Sequence, residues 1–161
     1  MRTSIALAIL ALGATAHAAK ADFCKEVTLA ASGRLIETLD HGAEGATRGD
    51  IRIGELTLVR SEGGAVVGDM FWKLTLMRPG GEGKPPVMMG EFVLQDEAGA
   101  LFASFVHGTE YDYHDTEHRP AAVALAVIGG TGAYRGASGG VDIAPRETPI
   151  RIDFDVTCKD G

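Results

Sequence analysis

The sequence predicts an all-β protein whose strands close into one antiparallel barrel. Three observations support this prediction. Apolar and polar residues alternate with a period of two along much of the chain, which is typical of half-buried strands. The 161 residues include 22 glycines, and inside a helix each would cost about 1 kcal/mol relative to alanine. The two cysteines lie near the two ends of the chain, where a disulfide would bring the first and last strands together.

The composition limits the classes of function. A chain of 161 residues is expected to form one domain. Its apolar content of 45% is too high for a disordered chain. Its formal net charge of −7 argues against a nucleic-acid partner, because binding phosphates requires a basic face. These values predict a small, acidic, soluble domain.

Residues 1–18 have the features of a secretory signal peptide. Arg2 supplies the positive charge, residues 5–13 are apolar, and Ala16-His17-Ala18 offers small side chains before the cleavage point. The apolar stretch is shorter than the roughly 18 residues of a membrane span. We therefore predict export, to the periplasm or the medium, of a single β-barrel domain over residues 19–161 with no membrane span. The alternative is a buried N-terminal helix.

Export gives the two cysteines a role. In an oxidising compartment, Cys24 and Cys158 are expected to form a disulfide. The loop that it closes would stabilise the fold by about 4–5 kcal/mol in the chain-entropy model. Two unpaired thiols are the alternative. The sequence lacks a Cys-x-x-Cys pair, so neither a redox motif nor a metal site is predicted for them.

Three segments alternate clearly enough to be predicted as strands. Residues 150–158 alternate apolar side chains with charged or polar ones, and Phe92 and Leu94 alternate with their neighbours in the same way. In the third segment, residues 51–59, Ile51, Ile53 and Val59 share one face, and the leucines at 56 and 58 interrupt that pattern.

Two further runs, residues 66–77 and 121–128, are apolar on both faces, so each is predicted to contact two apolar layers. Glycine-containing turn signals separate the runs at residues 62–64, 79–81, 96–99 and 129–132. Seven to nine short strands without intervening helices indicate an antiparallel sandwich or barrel, and the terminal disulfide favours the barrel.

The glycine-rich segment at residues 126–141 follows one of these strands. A dinucleotide-binding loop must open a helix whose N-terminal amides hold the pyrophosphate. Gly136, Gly139 and Gly140 oppose such a helix, and Val141 returns to a strand pattern. The segment is therefore predicted to be a structural corner between strands, and no cofactor is predicted.

This segment resembles the allene oxide cyclase and dirigent protein superfamily. In that family a strand is followed by Gly-Gly-Ser/Thr-Gly, an aromatic residue, a charged residue and a second glycine pair. Gly49-Asp50-Ile51 is similar to the entry into the family's second strand, Val67-Gly68 to the start of its third, and residues 108–117 to its rim loop. Over residues 26–156, the resemblance implies a closed antiparallel eight-stranded β-barrel of the calycin-like type. The matching residues are Gly129, Gly130, Thr131, Gly132, Tyr134, Arg135, Gly136 and Gly139.

The resemblance also implies two candidate catalytic residues. Allene oxide cyclases carry a catalytic glutamate in the first strand and an asparagine two residues later. Here Leu35 takes the glutamate's position and Glu37 the asparagine's, which argues against allene oxide cyclisation itself. Because residues i and i+2 share a face of a strand, an inward orientation is open to Glu37; an exposed side chain, which is the more common outcome for a lone glutamate on a strand, is the alternative. Arg135 corresponds to a dirigent arginine at the interior or rim and would bind an acidic substrate group, unless it is a surface residue paired with a carboxylate.

Other candidates surround the predicted interior. Trp72 would form a wall of a ligand pocket, or would be a core or outer-surface aromatic. The segment at residues 107–118 is predicted to be a rim loop in which Tyr113 assists catalysis and His107, Tyr111 and His114 contact ligand; a solvated acidic loop is the alternative. Its His-x-x-x-His spacing would suit a metal only on a helix, which the flanking Gly108 and Pro120 oppose, so no metal site is predicted.

Two classes of function remain. The first is an isomerase or cyclase that folds a small apolar molecule into a reactive conformation inside a dry cavity, as the resemblance implies. The second is a non-catalytic secreted barrel that binds a ligand or has a packed, purely structural core. The sequence contains no Ser-His-Asp, Cys-His or paired-carboxylate signature that would require the enzyme. Relatives in the family form dimers or trimers, so the resemblance leaves a homo-oligomer open, and the sequence specifies no interface for it.

Overall fold

The computed structural model describes residues 22–25, 28–60, 64–81, 84–108 and 121–159. A short 3-10 helix, Gly132–Tyr134, lies between the sixth and seventh strands. The predicted signal peptide lies outside the described residues. The eight strands are β1 (Thr28–Leu39), β2 (Ile51–Arg60), β3 (Val66–Arg78), β4 (Val87–Asp96), β5 (Gly99–Gly108), β6 (Val123–Gly130), β7 (Ser138–Ala144) and β8 (Ile150–Thr157).

The strands form a closed barrel. Each strand pairs antiparallel with the next one in the chain, and β8 returns to pair with β1. The closing pairs extend from Thr28 opposite Asp153 to Ala31 opposite Ile150. Closure leaves neither terminal strand as a free sheet edge along these pairs. The predicted all-β, closed antiparallel eight-stranded barrel is confirmed.

Alternation along β2 fixes which residues enter the interior. Ile51, Ile53 and Val59, which share a face in the sequence pattern, lie on the outer face. The two leucines that interrupt that pattern lie on the inner face, because they are in phase with a glycine and an arginine earlier in the strand. The inward-facing residues of β2 are Arg52, Gly54, Leu56 and Leu58.

The outer faces of the two most apolar runs are not covered. Phe71 and Met77 of β3 and Ile128 of β6 remain exposed, while their strand neighbours Met70 and Val127 are buried in the interior. Within the described part of the chain, no second layer packs on these strands. The prediction that both runs contact two apolar layers was wrong, because a single barrel buries only the inner face of each strand.

The two ends of the barrel differ. We call the end that carries the β2–β3, β4–β5 and β6–β7 connections the lower end, and the opposite end the upper end. A disulfide between Cys24 and Cys158 ties the residues before β1 to those after β8 at the lower end, with a Cα–Cα distance of 5.7 Å. The predicted disulfide is confirmed.

The lower half of the interior is tightly packed. Phe23, next to the disulfide, is fully buried. Its ring stacks on Phe154 at a centroid distance of 5.6 Å and lies tilted against Tyr134 at 5.0 Å. These aromatic contacts close the lower end. Above them, the inward-facing residues with no exposed surface include Leu29, Leu58, Leu94, Leu101 and Ile152.

The glycine-rich segment is a structural corner at the lower end, as predicted. The Thr131 amide donates to the Ala100 carbonyl (2.7 Å), and the Ala133 amide donates to the Ala98 carbonyl (3.0 Å). The Thr131 hydroxyl accepts a hydrogen bond from the Ala100 amide at 3.1 Å. Gly132 has a φ of 58°, and a side chain there would collide with the Ala98 carbonyl. The segment therefore fastens the β6–β7 corner onto the β4–β5 turn.

Candidate functional site

The upper half of the interior is less tightly packed than the lower half. Several apolar residues that face inward there keep part of their surface accessible, although they contact the main core. Leu76 and Met88 are the exception, because they form a small buried cluster near the upper ends of β3 and β4. The partly exposed inward-facing residues are Trp72, Leu74, Phe105, Val123 and Ile150.

Two inward-facing glycines make room for the aromatic rings in this region. A side chain at Gly54 would overlap the indole of Trp72 on the neighbouring strand. A side chain at Gly90 would overlap the ring of Phe105. Each ring therefore lies close to the barrel wall over a glycine. This arrangement lines the wall with aromatic surface without requiring the rings to fill the centre of the barrel.

Strand β1 extends beyond its pairing with β8. Pairing between these strands ends at Ala31 and Ile150, whereas residues 32–39 of β1 continue with β2 as their paired strand. Leu35 lies opposite the inward-facing Gly54 and is nonetheless 47% exposed. Residues 32–39 of β1 therefore lack β8 as a pairing strand, and the exposed Leu35 lies opposite the glycine that carries the Trp72 indole.

A buried cation also faces the interior. Arg52 is 7% exposed and lies on the inner face of β2, opposite Leu74 of β3 and Thr38 of β1. Burying a guanidinium is costly unless it is paired or hydrogen-bonded. Arg52 places positive charge in an otherwise largely apolar wall, within two residues of Gly54.

Asp50, the other buried charged residue among the described positions, has a structural role in the β1–β2 loop. Its carboxylate accepts hydrogen bonds from the amides of His41 (2.9 Å) and Thr47 (2.7 Å), and from the Thr47 hydroxyl (2.9 Å). The backbone around it pairs with Leu76: the Gly49 amide donates to the Leu76 carbonyl, and the Leu76 amide donates to the Asp50 carbonyl. The Gly-Asp-Ile motif therefore holds the loop against the upper end of β3.

The structure places Glu37 on the outer face of the barrel. β1 contains a bulge between Leu35 and Glu37. Because the bulge inserts Ile36 as an extra residue, Leu35 pairs with inward-facing Gly54, whereas Glu37 pairs with outward-facing Ile53. Of the two orientations that the sequence leaves open for Glu37, the structure shows the exposed one.

The other sequence candidates are divided between the two ends. Trp72 lines the upper half of the interior. Arg135 is exposed and follows the 3-10 helix at the lower end, so the structure does not bring it near Trp72 or Glu37. Tyr111, Tyr113 and His114 lie outside the described residues, as does the side chain of His107 at the end of β5.

Tyr134, beside Arg135, belongs to the packed lower end. Its hydroxyl donates to the Asp96 carboxylate at 2.6 Å, and the same carboxylate accepts hydrogen bonds from the Ala98 and Gly99 amides. Burial and the adjacent Asp96 raise the pKa of the Tyr134 phenol well above its ordinary value. The phenol is therefore a neutral hydrogen-bond donor that joins the glycine-rich corner to the β4–β5 turn.

Among the described residues, no three His, Cys, Asp or Glu side chains come together as a metal-binding group. No helix within the same residues has the length and hydropathy needed to cross a bilayer.

Sequence reasoning missed Arg52, Gly54 and Gly90 as residues of the interior. The signal was present in β2: Arg52 and Gly54 are in phase with Leu56 and Leu58, so they share the face that a barrel buries. Gly90 stands two residues before Phe92, whose inward orientation the alternation does predict.

Comparisons with known proteins support the fold. A solved structure described as pyocyanin demethylase superposes on this chain with a TM-score of 0.64 at 22% sequence identity, covering 81% of this chain and 98% of that one. At this identity the likeness concerns the fold alone. Neither family models nor curated proteins yielded a match to this sequence.

Proposed function

We propose that this protein is a secreted or periplasmic barrel that binds a small apolar molecule in the upper half of its interior. The observation that carries the proposal is the set of inward-facing apolar residues that remain partly accessible, including Trp72, Leu74 and Phe105. Ligand sites are typically concave and mostly apolar, with few polar groups. An eight-stranded barrel is wide enough for one small ligand.

Binding can be tested with the neutral fluorescent probe N-phenylnaphthylamine. Trp72 is the single tryptophan, so energy transfer from it to the probe reports binding close to the upper half of the interior. Val123→Phe, which adds volume inside the barrel, is expected to weaken probe binding at least about tenfold, on the scale of lost apolar burial. Ile128→Phe, on the exposed outer face of the same strand, is the matched control and is expected to bind like the parent. Equal binding by both variants would place the probe elsewhere.

Export rests on the features of residues 1–18 and is supported by the disulfide, which is typical of oxidising compartments. N-terminal sequencing of protein isolated from its own host is expected to begin at Ala19. A chain that retains residues 1–18 in the cytosol would contradict this part of the proposal. Native mass spectrometry of the same preparation is expected to reveal a retained small molecule.

Catalysis is the second candidate, as an isomerase or cyclase of the allene oxide cyclase and dirigent type. The glycine-rich corner and the eight-stranded barrel favour it, and a structural neighbour bears an enzyme's name. Confinement of a flexible substrate beside Trp72 would supply orientation. Incubation with an unsaturated lipid epoxide or with pyocyanin, the compound in that neighbour's name, followed by product analysis, tests it. Unchanged substrates would favour the non-catalytic binding barrel.

We also propose that copies of this chain associate through the outer face of β3–β5. Phe71, Val93 and Phe102 form one outward-facing row across three paired strands, and contiguous apolar surface of this kind marks interaction sites. Phe71→Arg is expected to reduce the mass measured by light scattering to that of the monomer. Thr157→Arg, on the exposed face of β8, is the control. A monomeric parent would contradict the proposal.

A further inference from the structure

Arg52 is the buried charged residue, among the described positions, that faces the barrel interior. Of the two buried charged residues in the described chain, Asp50 is accounted for by its hydrogen bonds within the β1–β2 loop. Arg52 instead faces the apolar interior, opposite Leu74 and close to the Trp72 wall. Arginine is rarely this buried, and Arg52 combines burial with an inward position beside the partly accessible Trp72.

We propose that Arg52 recognises an anionic group, such as a carboxylate, on the molecule that binds in the upper half of the interior. The inference rests on the proposed binding function and adds that the ligand is amphipathic. A guanidinium offers five N–H donors in a planar fork that matches a carboxylate. Arg52 also interacts within the protein, and five donors allow it to contact protein groups and a ligand anion together.

The positions of the lining residues give the ligand an orientation. Along β2 from the upper end, Arg52 precedes Gly54, over which the Trp72 indole lies. The anionic group would therefore lie nearer the upper end, and the apolar body would extend past Trp72 toward the packed lower half. A few fixed polar groups in an apolar wall commonly orient a ligand in this way.

The negative net charge of the protein gives Arg52 a selective role in attracting anions. The chain carries 22 acidic and 15 basic residues, so much of its surface repels anions. An anion placed beside Arg52 is instead screened from bulk water, where its attraction to the guanidinium is strengthened by the lower dielectric constant. A neutral apolar molecule would gain the same wall contacts but not this interaction.

Two probes with one skeleton separate these contributions. N-phenylnaphthylamine is neutral, and anilinonaphthalene sulfonate adds one sulfonate to the same rings. The parent protein is expected to bind the sulfonated probe about tenfold or more tightly than the neutral one. Arg52→Gln is expected to weaken binding of the sulfonated probe by roughly 10- to 100-fold and to leave the neutral probe unchanged. Arg34→Gln, which removes an exposed arginine from the outer side of β1, is expected to change neither.

Failure of this inference can be distinguished from failure of the proposed function. If the parent does not bind the neutral probe, the interior binding site itself is contradicted. If the neutral probe binds but the sulfonated probe binds no more tightly to the parent, the role of Arg52 is overturned, whether or not Arg52→Gln folds. Equal losses for both probes in a folded Arg52→Gln also overturn it. Arg52→Lys keeps the charge without the fork, and a smaller loss than in Arg52→Gln supports it.

Discussion

A buried charge is explained differently at each of two neighbouring positions in this protein. Asp50 accepts hydrogen bonds from two backbone amides and one hydroxyl within its own loop, which is sufficient to account for a carboxylate that is 1% exposed. Arg52 lies two residues later, on β2, where it faces the barrel interior. The first residue therefore builds the upper end, and the second is the candidate for ligand recognition.

Removing the Asp50 side chain is expected to destabilise the fold. Asp50→Ala leaves the His41 and Thr47 amides without their carboxylate acceptor. Losses of this kind cost about 2–3 kcal/mol in the free energy of unfolding. Urea unfolding measures the change, and Asp40→Ala, at an exposed position at the start of the same loop, is expected to stay within about 0.5 kcal/mol of the parent. Equal effects of the two substitutions would rule out the capping role.

Tyr134 predicts how stability depends on alkaline pH. Burial and the hydrogen bond to Asp96 raise the pKa of the Tyr134 phenol in the folded protein, so the folded state holds its proton more tightly than the unfolded state does. The contribution to stability is complete below the unfolded pKa of about 10 and is lost as pH rises above it. The free energy of unfolding is expected to fall above about pH 10 by up to roughly 1.4 kcal/mol per pH unit.

The test compares urea unfolding of the parent and Tyr134→Phe on both sides of about pH 10. Tyr134→Phe is expected to be less stable by about 1 kcal/mol at neutral pH, because the hydrogen bond to Asp96 is lost, and to show a shallower decline in alkali. Tyr113→Phe serves as the control for changing the number of tyrosines. A parallel decline in Tyr134→Phe and the parent would argue against a raised pKa at this residue.

At the scale of elements, strand alternation predicts most of the barrel. Local interruptions of the alternation determine which residues face the candidate site. The pattern in β8 and the pair Phe92 and Leu94 identify inward faces correctly. The bulge after Leu35 reverses the phase of β1 and turns Glu37 outward. A bulge depends on how two strands register against each other, so one strand's sequence does not reveal it. The glycine-rich corner was predictable, because its glycines are needed for close backbone approach.

A substitution at Gly54 tests whether the arrangement of the interior requires a residue without a side chain at this position. Gly54→Ala places a methyl group where the Trp72 indole lies, and overpacking of this kind costs about 1–3 kcal/mol. The free energy of unfolding is expected to fall by that amount, and the emission maximum of Trp72 is expected to shift as the ring moves. Gly140→Ala on β7 is the control, because the added carbon would lie in ordinary contact, 3.5 Å from the Leu125 carbonyl oxygen. An unchanged Trp72 spectrum in Gly54→Ala would contradict the close packing over Gly54.

At the scale of the whole molecule, the barrel is tight at one end and accessible at the other. The disulfide, Phe23 and Tyr134 gather the terminal segments and the glycine-rich corner at the lower end. At the other end, β1 extends beyond its pairing with β8. The cysteine positions in the sequence predict the closure. The length of β1 that extends past β8 depends on where pairing stops, which is set by the relative stagger of all eight strands and cannot be derived from one segment.

Because the two ends are distinct, loss of the disulfide is expected to lower stability more than ligand affinity. The bridge links residues separated by 134 positions, and releasing a loop of this size costs about 4–5 kcal/mol in the chain-entropy model. The double substitution Cys24→Ser and Cys158→Ser is expected to lower the free energy of unfolding by up to that amount. Phe23 also loses the disulfide that anchors the neighbouring residue. Where the variant remains folded, binding of N-phenylnaphthylamine is expected to stay within about threefold of the parent, since Trp72 and Leu74 lie in the upper half of the interior and distant sites couple only weakly. Unfolding and probe titrations on the same samples separate the two effects. A stable variant that has lost probe binding would mean that the lower end shapes the site, and the division of the barrel into a structural half and a binding half would fail.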